Sequence, residues 1–431
     1  MGWRVRFKGF AFRREGLPIL ALAAYDLWLL AFPLQGYFFL KMNGPENFSW
    51  FIIPHTASFF LVAWLGHRIN FRVVSLFAGT LAAIFTAVYP FLPPFQKYLL
   101  ALIGITSAFL IVRIGCLLRR CRDPVMASAL GLALGNVLLG ITLWVNPPKE
   151  ALFPLLGILL LSQVPAPFYP QRKEPLGDLL RYLPFIFAFY LLIGTFYVCL
   201  MPFYVKYYYF NGSELLFYIG AVLSSAVLFR KKPDYSLVVG VGMGVFAVAF
   251  LHSFTRLTSN LAMYAVQAAA GLIDVFCFGL FIRGGDVVRR FGLGAGTMLA
   301  GPMVGLPVLY TERWPMVLCT GGNIVLGLGL LLFYFVQTTV RGREIYRRKA
   351  SLVTEIDETR LAETCRALGT PRELFSYREW EILKLTLSGK PIREIASLLN
   401  LSESSVKTYL QRVYRKLGVS SKSDLLQKLL S

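Results

Sequence analysis

A stripe of short polar and basic side chains near the C-terminal end of the sequence recurs at helical spacing. Its members are Ser404, Lys407, Thr408, Gln411 and Arg415. Residues three and four positions apart lie on one face of an α-helix. Side chains of these types donate hydrogen bonds to base edges and phosphates, so the stripe could be a recognition surface in the major groove of DNA. The alternative is an ordinary helix of a small domain, whose polar face is exposed to water and binds no partner.

The residues before the stripe contain signals for two helices that would position it. Ser376 and Glu379 have the spacing of a capping box, and Phe375 with Trp380 has the spacing of a hydrophobic staple. These signals predict a first helix over about 377–387 that stops at Gly389. Pro391 then suits the first turn of a second helix.

The stripe itself is predicted to lie on a third helix. Ser402 can cap that helix, and Glu403 is favourably placed at its positive end. Four apolar residues recur on the face opposite the stripe, at Val406, Leu410, Val413 and Leu417. One face of the helix is therefore expected to pack inward, which leaves the polar face for a partner.

Specific residues throughout this region favour DNA binding over a solvated face. The segments FSYREWEIL from Phe375, EIA from Glu394, LSESSVKT from Leu401 and YRKLGV from Tyr414 closely resemble the LuxR/FixJ-type helix-turn-helix. The resemblance implies a four-helix domain that binds double-stranded DNA. It covers about an eighth of the chain, with spacings that agree throughout.

The resemblance also implies a role for each matching position. Base-edge contacts are expected from Lys407, Thr408 and Gln411, and contacts near phosphates from Ser404, Ser405, Arg415, Lys416 and Lys422. Tyr409 stands where the family commonly has histidine, but it lies off the reading face. A fourth helix over 422–430 matches the dimerisation element of the family, so a homodimer on DNA is expected.

The composition of the rest of the chain indicates a membrane protein. Hydrophobic residues make up 56% of the sequence and charged residues only 16%, far from the balance of soluble domains. A spanning helix needs about 20 mostly apolar residues. Twelve candidate spans lie near 17–40, 48–66, 73–95, 98–118, 124–146, 151–169, 183–205, 213–229, 236–255, 260–282, 292–310 and 315–340.

The spans give the domain organisation. We expect a membrane domain over 1–340, with halves 1–170 and 182–340 joined by a cytoplasmic loop over 171–181. A helical linker is predicted over 341–370, where heptad spacing is too weak to favour a coiled coil over a plain connector. The DNA-binding domain is then predicted over 371–431.

Basic residues alternate between the two sides of these predicted spans. The N-terminus and the loops on its side contain 19 Lys and Arg residues, whereas the opposite loops contain six. Positive charge collects on the cytoplasmic side of a membrane. Both termini are therefore predicted to be cytoplasmic. The protein is expected in a bacterial inner membrane, where lipids surround the bundle.

Two sets of six spans have the layout of the major facilitator superfamily. The sequence also resembles that family locally at GHRINFR, which begins at Gly66 in the loop between spans two and three. His67 stands near the position of the family's acidic residue. The resemblance implies the fold of a transporter bundle, with weaker support for transport itself.

Three ionisable side chains lie inside the apolar spans, where burying a charge is costly. They are Asp26 in span one, Arg113 in span four and Asp274 in span ten. In a facilitator-like fold these helices line the central cavity, so the three are candidates for ligand binding or gating. Arg113 and Asp274 have similar predicted depth and could pair across the halves. The alternative is that Arg113 snorkels toward Arg119 and Asp274 caps local polar groups.

These expectations combine into a membrane-bound one-component transcription regulator, in which the bundle senses an unknown small molecule and the tail binds a promoter. The alternative is a transporter of the major facilitator type with a fused DNA-binding tail. An enzyme is not expected, because the sequence has no phosphate-binding loop, no metal-ligand spacing and no paired carboxylates with suitable histidines. For the same reasons, neither a cofactor nor a metal ion is expected.

Overall fold

The computed structural model has two compact units, Met1–Phe333 and Tyr334–Ser431, and each is considered by itself. It describes residues 12–34, 38, 45–163, 176–231, 233–250, 255–284, 286–311, 313–322, 358–367, 369–388, 390–422 and 424–425, with the single positions 324, 327, 328, 331 and 334. Within those residues the regular structure is helical.

The first unit begins with six helices that correspond to predicted spans one to six. They are α1 (Phe12–Ala31), α2 (Ser49–Leu65), α3 (Phe71–Val88), α4 (Gln96–Leu118), α5 (Pro124–Val145) and α6 (Lys149–Leu160). Side chains at the helix starts satisfy backbone N–H groups that have no partner within the helix. Asn70 caps α3 in this way, and Asp123 caps α5, whose first residue is Pro124.

Six further helices follow. They are α7 (Gly177–Tyr207), α8 (Ser213–Lys231), α9 (Pro233–Ala249), α10 (Arg256–Phe281), α11 (Val287–Gly305) and α12 (Trp314–Val317). A capping box between Thr255 and Thr258 begins α10. Within the predicted central loop 171–181, α7 already begins at Gly177, directly after the buried Leu176. The part of this loop before Leu176 lies outside the described residues. Half of predicted span twelve lies outside the described residues.

The two sets of helices repeat one packing pattern. In the first half α1 packs on α5, while α2 and α3 pack on α4. In the second half α7 packs on α11, while α8 and α9 pack on α10. The halves meet where α2 packs on α11 and α5 on α8. Among the described residues, the first five helices of each half thus follow the repeat that the predicted six-plus-six arrangement requires.

The surface of this unit is that of a membrane protein. Seven of its described helices are long and apolar enough to span a bilayer, and two shorter apolar helices are present besides. Large apolar side chains are exposed around the bundle, including Trp144 with 86% of its surface accessible. Such exposure in a soluble protein would be costly. The predicted class, an all-α polytopic bundle, is confirmed.

Two polar pairs join the halves at the end of the bundle where α2 ends and α11 begins. His67 Nε2, in the loop after α2, lies 2.8 Å from both carboxylate oxygens of the buried Asp286. Asp286 also caps α11 by accepting a hydrogen bond from Arg289 N. In the equivalent position of the other interface, Asp123 caps α5 and accepts a hydrogen bond from Arg230 Nε at 2.7 Å.

The second unit has four described helices. They are α13 (Glu358–Ala367), α14 (Tyr377–Leu387), α15 (Ile392–Leu399) and α16 (Glu403–Leu417). The predicted capping box of α14 is present, with Ser376 and Glu379 each accepting from the other's backbone N–H. Lys422, Asp424 and Leu425 belong to the predicted fourth domain helix. The remainder of that helix lies outside the described residues.

Part of the predicted linker belongs to the core of this unit. Leu361 and Cys365 of α13 are buried in one cluster with Trp380 and Leu383 of α14 and Val413 of α16. The hydrophobic core therefore begins before Pro371, where we expected the domain to begin. The positions 361 and 365 are one helical turn apart, so α13 presents a single apolar face. Residues 341–357 of the linker lie outside the described residues.

Candidate DNA-binding surface and membrane cavity

The helix α16 has one buried and one exposed face, as its sequence predicts. Val406, Leu410, Val413 and Leu417 are buried. The helix begins at the cap of Ser402, whose Oγ accepts from Ser405 N at 3.1 Å. It ends at Gly418, whose φ of +64° is the left-handed conformation that glycine adopts most readily. Both ends of the helix are thus defined by local sequence.

The turn before α16 sets the direction of this helix against α15. Asn400 has a φ of +52° and ends α15 in the left-handed conformation, which asparagine tolerates better than most residues. Ile395 and Ala396 of α15 then pack with Val406 and Leu410 of α16, together with Ile382 of α14. Two helices joined by a tight turn against a first helix form the helix-turn-helix arrangement.

The structure brings most of the predicted DNA contacts to one exposed face of α16. Ser404, Lys407, Thr408, Gln411 and Arg415 are all exposed. Thr408 Oγ1 donates to the carbonyl of Ser404 at 3.0 Å, as threonine hydroxyls often do within helices. Ser405 is half-buried, and its Oγ lies 2.8 Å from Ser402 Oγ. The long side chains of Lys407, Gln411 and Arg415 are the ones that project from this face.

Lys416 differs from the other predicted contacts, because its exposed side chain forms an ion pair with a buried carboxylate of the same unit. Its ammonium donates to Glu379 Oε2 at 2.6 Å and to the carbonyl of Leu374 at 2.8 Å. It also lies over the ring of Phe375, 5.8 Å from the centroid. Glu379 is buried and takes part in the capping box of α14. We therefore propose a structural role for Lys416 in place of the phosphate contact that the family resemblance implies.

Replacing Lys416 with methionine is expected to lower stability without altering salt dependence. Lys416→Met keeps the apolar stem but leaves buried Glu379 without its cation, a loss of about 1–3 kcal/mol. Urea unfolding of the separate unit, residues 334–431, measures this loss. A phosphate contact would instead contribute roughly 0.9 to the slope of log affinity against log salt. An unchanged stability with a shallower slope would restore the phosphate role.

The same ion pair predicts a pH dependence of stability. Burial raises the pKa of Glu379, but hydrogen bonds from Lys416 and from the Ser376 backbone outweigh it, so the pKa lies below that of an ordinary glutamate. A pKa depressed by folding stabilises the folded state above the unfolded-state pKa and loses that effect as the pH falls through the folded-state value. The difference in stability between wild type and Glu379→Gln should therefore vanish in acid.

Two exposed arginines near this face were missed by the sequence reasoning. Arg412 is exposed on α16, with its guanidinium 5.7 Å from the centroid of Tyr409. It follows Thr408 by one helical turn, so the spacing that identified the stripe also includes it. Arg393 is exposed on α15. Both add positive charge to the surface around the recognition helix.

A cavity of about 210 Å³ lies between the two halves of the membrane unit. Asp26 of α1 and Asp274 of α10 both line it, as the sequence predicts. Arg113 is buried on α4 and lies outside the set of described residues that line this cavity. The expected cross-half pair of Arg113 with Asp274 is not among the contacts that the structure shows for Asp274. The cavity lining is mostly apolar and includes Leu34, Phe281, Phe291 and Pro302.

The carboxylate of Asp274 is held by two tyrosine hydroxyls. Tyr190 of α7 donates to Oδ1, and Tyr218 of α8 donates to Oδ2 at 2.6 Å. Asp26 accepts a hydrogen bond from Asn136 of α5, with 2.9 Å between Nδ2 and Oδ2. These partners lie far away in sequence. Neither tyrosine nor Asn136 had a local signal that could have identified it.

Comparison with known proteins agrees with the geometry of the C-terminal unit. Residues 373–429 match the family described as bacterial regulatory proteins, luxR family. The chain is 36% identical over 59 residues to the spore germination protein GerE of Bacillus subtilis, which covers 14% of this chain and 80% of GerE. It is 42% identical over 57 residues to the probable regulator GfsR of Streptomyces halstedii, covering 13% of this chain and 24% of GfsR.

The match to longer regulators covers a small part of each chain. The transcriptional regulator MalT of Klebsiella pneumoniae is 38% identical over 50 residues, which is 12% of this chain. The chain thus spans only 6% of the length of that relative. The likeness carries no information on what the remainder of either protein does.

Solved structures resemble the membrane unit in fold. The human organic anion transporter MFSD10 superposes with a TM-score of 0.52 at 15% identity, covering 76% of this chain and all of the transporter chain (100%). The E. coli fucose:proton symporter FucP gives a TM-score of 0.53 at 10% identity, covering 76% of this chain and 98% of its own. At such identities the likeness shows a shared fold alone. The chain belongs to the LuxR family of bacterial transcription regulators through its C-terminal helix-turn-helix, which follows a membrane bundle with the major facilitator fold.

Proposed function

We propose that this protein is a membrane-bound one-component regulator whose bundle senses a small molecule and thereby controls promoter binding by the C-terminal unit. The observation that carries this proposal is a cavity between two halves of a bundle, on the same chain as an exposed recognition helix. The stretch between Gly322 and Glu358 is too short for a further domain. Control of DNA binding must therefore come from the membrane unit or the linker.

A cavity between two halves can act as a sensor only if a ligand distinguishes two arrangements of them. A ligand shifts an equilibrium by the difference between its affinities for the two states. Here Asp26 belongs to the first half, whereas Asp274 and its two tyrosine partners belong to the second. A ligand that contacts both carboxylates would bind the arrangement in which both are within reach. Such a ligand has the differential affinity that sensing needs.

The compartment and assembly follow from the same proposal. We place the protein in a bacterial inner membrane, surrounded by lipid, with both termini in the cytoplasm, as the distribution of basic loops predicts. This orientation brings the C-terminal unit to bacterial DNA. A homodimer on DNA through residues 422–430 remains our expectation from the family resemblance. No catalytic role is assigned.

The test fills the cavity and follows transcription. A reporter carrying a DNA sequence selected with the C-terminal unit is first used to find compounds that change its output in cells with the full chain. Ala270 lines the cavity on α10, whereas Ala268 lies on the same helix outside the lining. We expect Ala270→Phe to abolish the response and Ala268→Phe to retain it. A response that survives in a chain lacking residues 1–340 would contradict sensing by the bundle.

A transporter that also regulates transcription is the second candidate, because the bundle has a transporter fold with a cavity between its halves. Flux of the activating compound into proteoliposomes distinguishes the two functions. A pure sensor binds the compound but gives no uptake above that of Ala270→Phe. Uptake that is saturable and lost in that variant would favour transport.

A further inference from the structure

We infer that the ligand of the membrane cavity is a small apolar organic cation, with about the size of one aromatic ring and a short aminoalkyl chain. This inference rests on the proposed sensing function and assigns its ligand class. Asp26 and Asp274 both line one cavity, and the described residues of its wall include no lysine or arginine.

The charge of the lining is one-sided. Among the described residues that form the cavity wall, the two aspartates occur without any lysine or arginine. Charges interact far more strongly in an apolar enclosure than in water. Two carboxylates facing one such space repel each other and attract a cation. An anionic ligand would add a third negative charge, so this lining disfavours it.

The imidazole of His55, which also lines the cavity, does not supply the missing positive charge. Its Nδ1 lies 2.8 Å from the carbonyl oxygen of Gly104 and 3.1 Å from Ser107 Oγ. Its Nε2 lies 3.5 Å from the hydroxyl of Tyr25. Both ring nitrogens are thus directed at protein groups on α1 and α4. The two aspartates are left as the ionisable groups that a ligand would meet.

The hydrogen bonds of the aspartates orient them and leave acceptor positions over. An ionised carboxylate has about four lone-pair sites. Tyr190 and Tyr218 occupy one site on each oxygen of Asp274. Asp26 accepts from Asn136, the one hydrogen bond to this carboxylate that the described residues show. Each carboxylate is thus held in place by the protein and can still accept from an ammonium group.

The close packing behind Asp26 supports a fixed position for this carboxylate. Gly135 of α5 approaches it so closely that a Cβ at this position would lie 2.6 Å from Oδ2. Any larger residue would displace the side chain. Position 135 therefore requires glycine, and the packing of α5 directs Asp26 toward the space between the halves.

The size and the aromatic lining define the rest of the ligand. A dry cavity of about 150 Å³ accommodates benzene, and this one measures about 210 Å³. Four tyrosines line it, Tyr25, Tyr190, Tyr197 and Tyr218, and aromatic faces attract cations. Sugars need many polar partners, and the lining offers few. A single ring with an aminoalkyl chain fits the volume, the apolar walls and the acidic groups together.

The experiment measures binding to the full chain in lipid nanodiscs with a series that varies charge at constant size. The probes are 2-phenylethylamine as the cation, 2-phenylethanol as the neutral compound and 3-phenylpropionate as the anion. Binding to the folded state raises the Tm in proportion to ligand affinity and concentration. We expect the amine alone to raise the Tm. Equal stabilisation by the alcohol or the acid, or none by the amine, overturns the inference. This test uses the wild-type chain and so does not depend on whether a variant folds.

Variants then assign the contact. Asp274→Asn and Asp26→Asn preserve shape and should each weaken binding of the amine at least tenfold. Glu150→Gln removes a carboxylate that is exposed outside the cavity and should bind as the wild type does. Retained amine affinity in both asparagine variants would also overturn the inference.

The outcome for the ligand class is distinguishable from that for sensing. If the amine binds through the aspartates but leaves DNA affinity unchanged, the ligand class stands and control by the bundle fails. If reporter activity instead responds to neutral or anionic compounds and is lost in Ala270→Phe, sensing stands and the cation assignment fails. These two measurements therefore test separate statements.

Discussion

Replacing Trp380 with alanine is expected to unfold the C-terminal unit and abolish DNA binding. Only 1% of this side chain is exposed, and it packs on Phe375 with 5.6 Å between ring centroids. The guanidinium of Arg372 lies over the ring of Trp380, 4.6 Å from its centroid. Truncating a buried tryptophan costs about 3–5 kcal/mol. This is comparable to the whole stability of a small domain, which is about 5 kcal/mol at the lower end.

The matched control for this variant is Tyr377→Ala. Tyr377 lies on the same helix, α14, but 69% of its side chain is exposed. Circular dichroism and urea unfolding of residues 334–431 should show a folded control and a largely unfolded Trp380→Ala. A Trp380→Ala variant with wild-type urea midpoint would contradict the packing described for this core.

Lys407→Ala is expected to remove most of the discrimination between promoter and unrelated DNA. Lys407 is exposed on the outward face of α16, the face that carries the longest hydrogen-bond donors of this helix. A good base contact discriminates by about 1–3 kcal/mol, which corresponds to roughly 5- to 150-fold in affinity ratio. Affinity for random duplex should change much less. Fluorescence anisotropy with the selected sequence and a scrambled duplex, at one salt concentration, measures both.

Lys422→Ala provides the comparison for Lys407→Ala. The family resemblance implies that Lys422 lies near phosphates, so we expect its loss to weaken binding to both duplexes by a similar factor and to reduce the salt slope by about 1. If Lys407→Ala behaved in the same way, with an unchanged affinity ratio, the base-edge role of Lys407 would be wrong. The pair of variants thus separates sequence reading from charge.

Local signals in the sequence predicted the helix-turn-helix well, because caps act within one turn. Ser376 and Glu379 form the predicted capping box, and Phe375 contacts Trp380 as the staple requires. The alternation of buried and exposed residues on α16 likewise depends on helical period alone. The six-plus-six repeat was predicted from hydropathy, which each helix carries in its own residues.

Contacts between distant residues were not accessible to the same reasoning. Lys416 matched a phosphate position by resemblance, yet its partner Glu379 lies 37 residues away. The partners of Asp274 are 84 and 56 residues away. The charge of Arg113 had instead suggested that Arg113 pairs with Asp274. In the linker, the apolar face of α13 was visible as Leu361 and Cys365, but the core on which it packs was not.

The two aspartates that join the halves of the bundle each have a second role as a helix cap. Asp123 and Asp286 stand at the positive ends of α5 and α11, where the helix dipole stabilises an anion by about 0.3–1 kcal/mol. If the halves moved apart at this end, each carboxylate would lose its partner in the other half but keep its backbone N–H groups. Each aspartate would therefore still be stabilised by its own helix after separation. The contact between the halves at this end can thus open and close at low energetic cost.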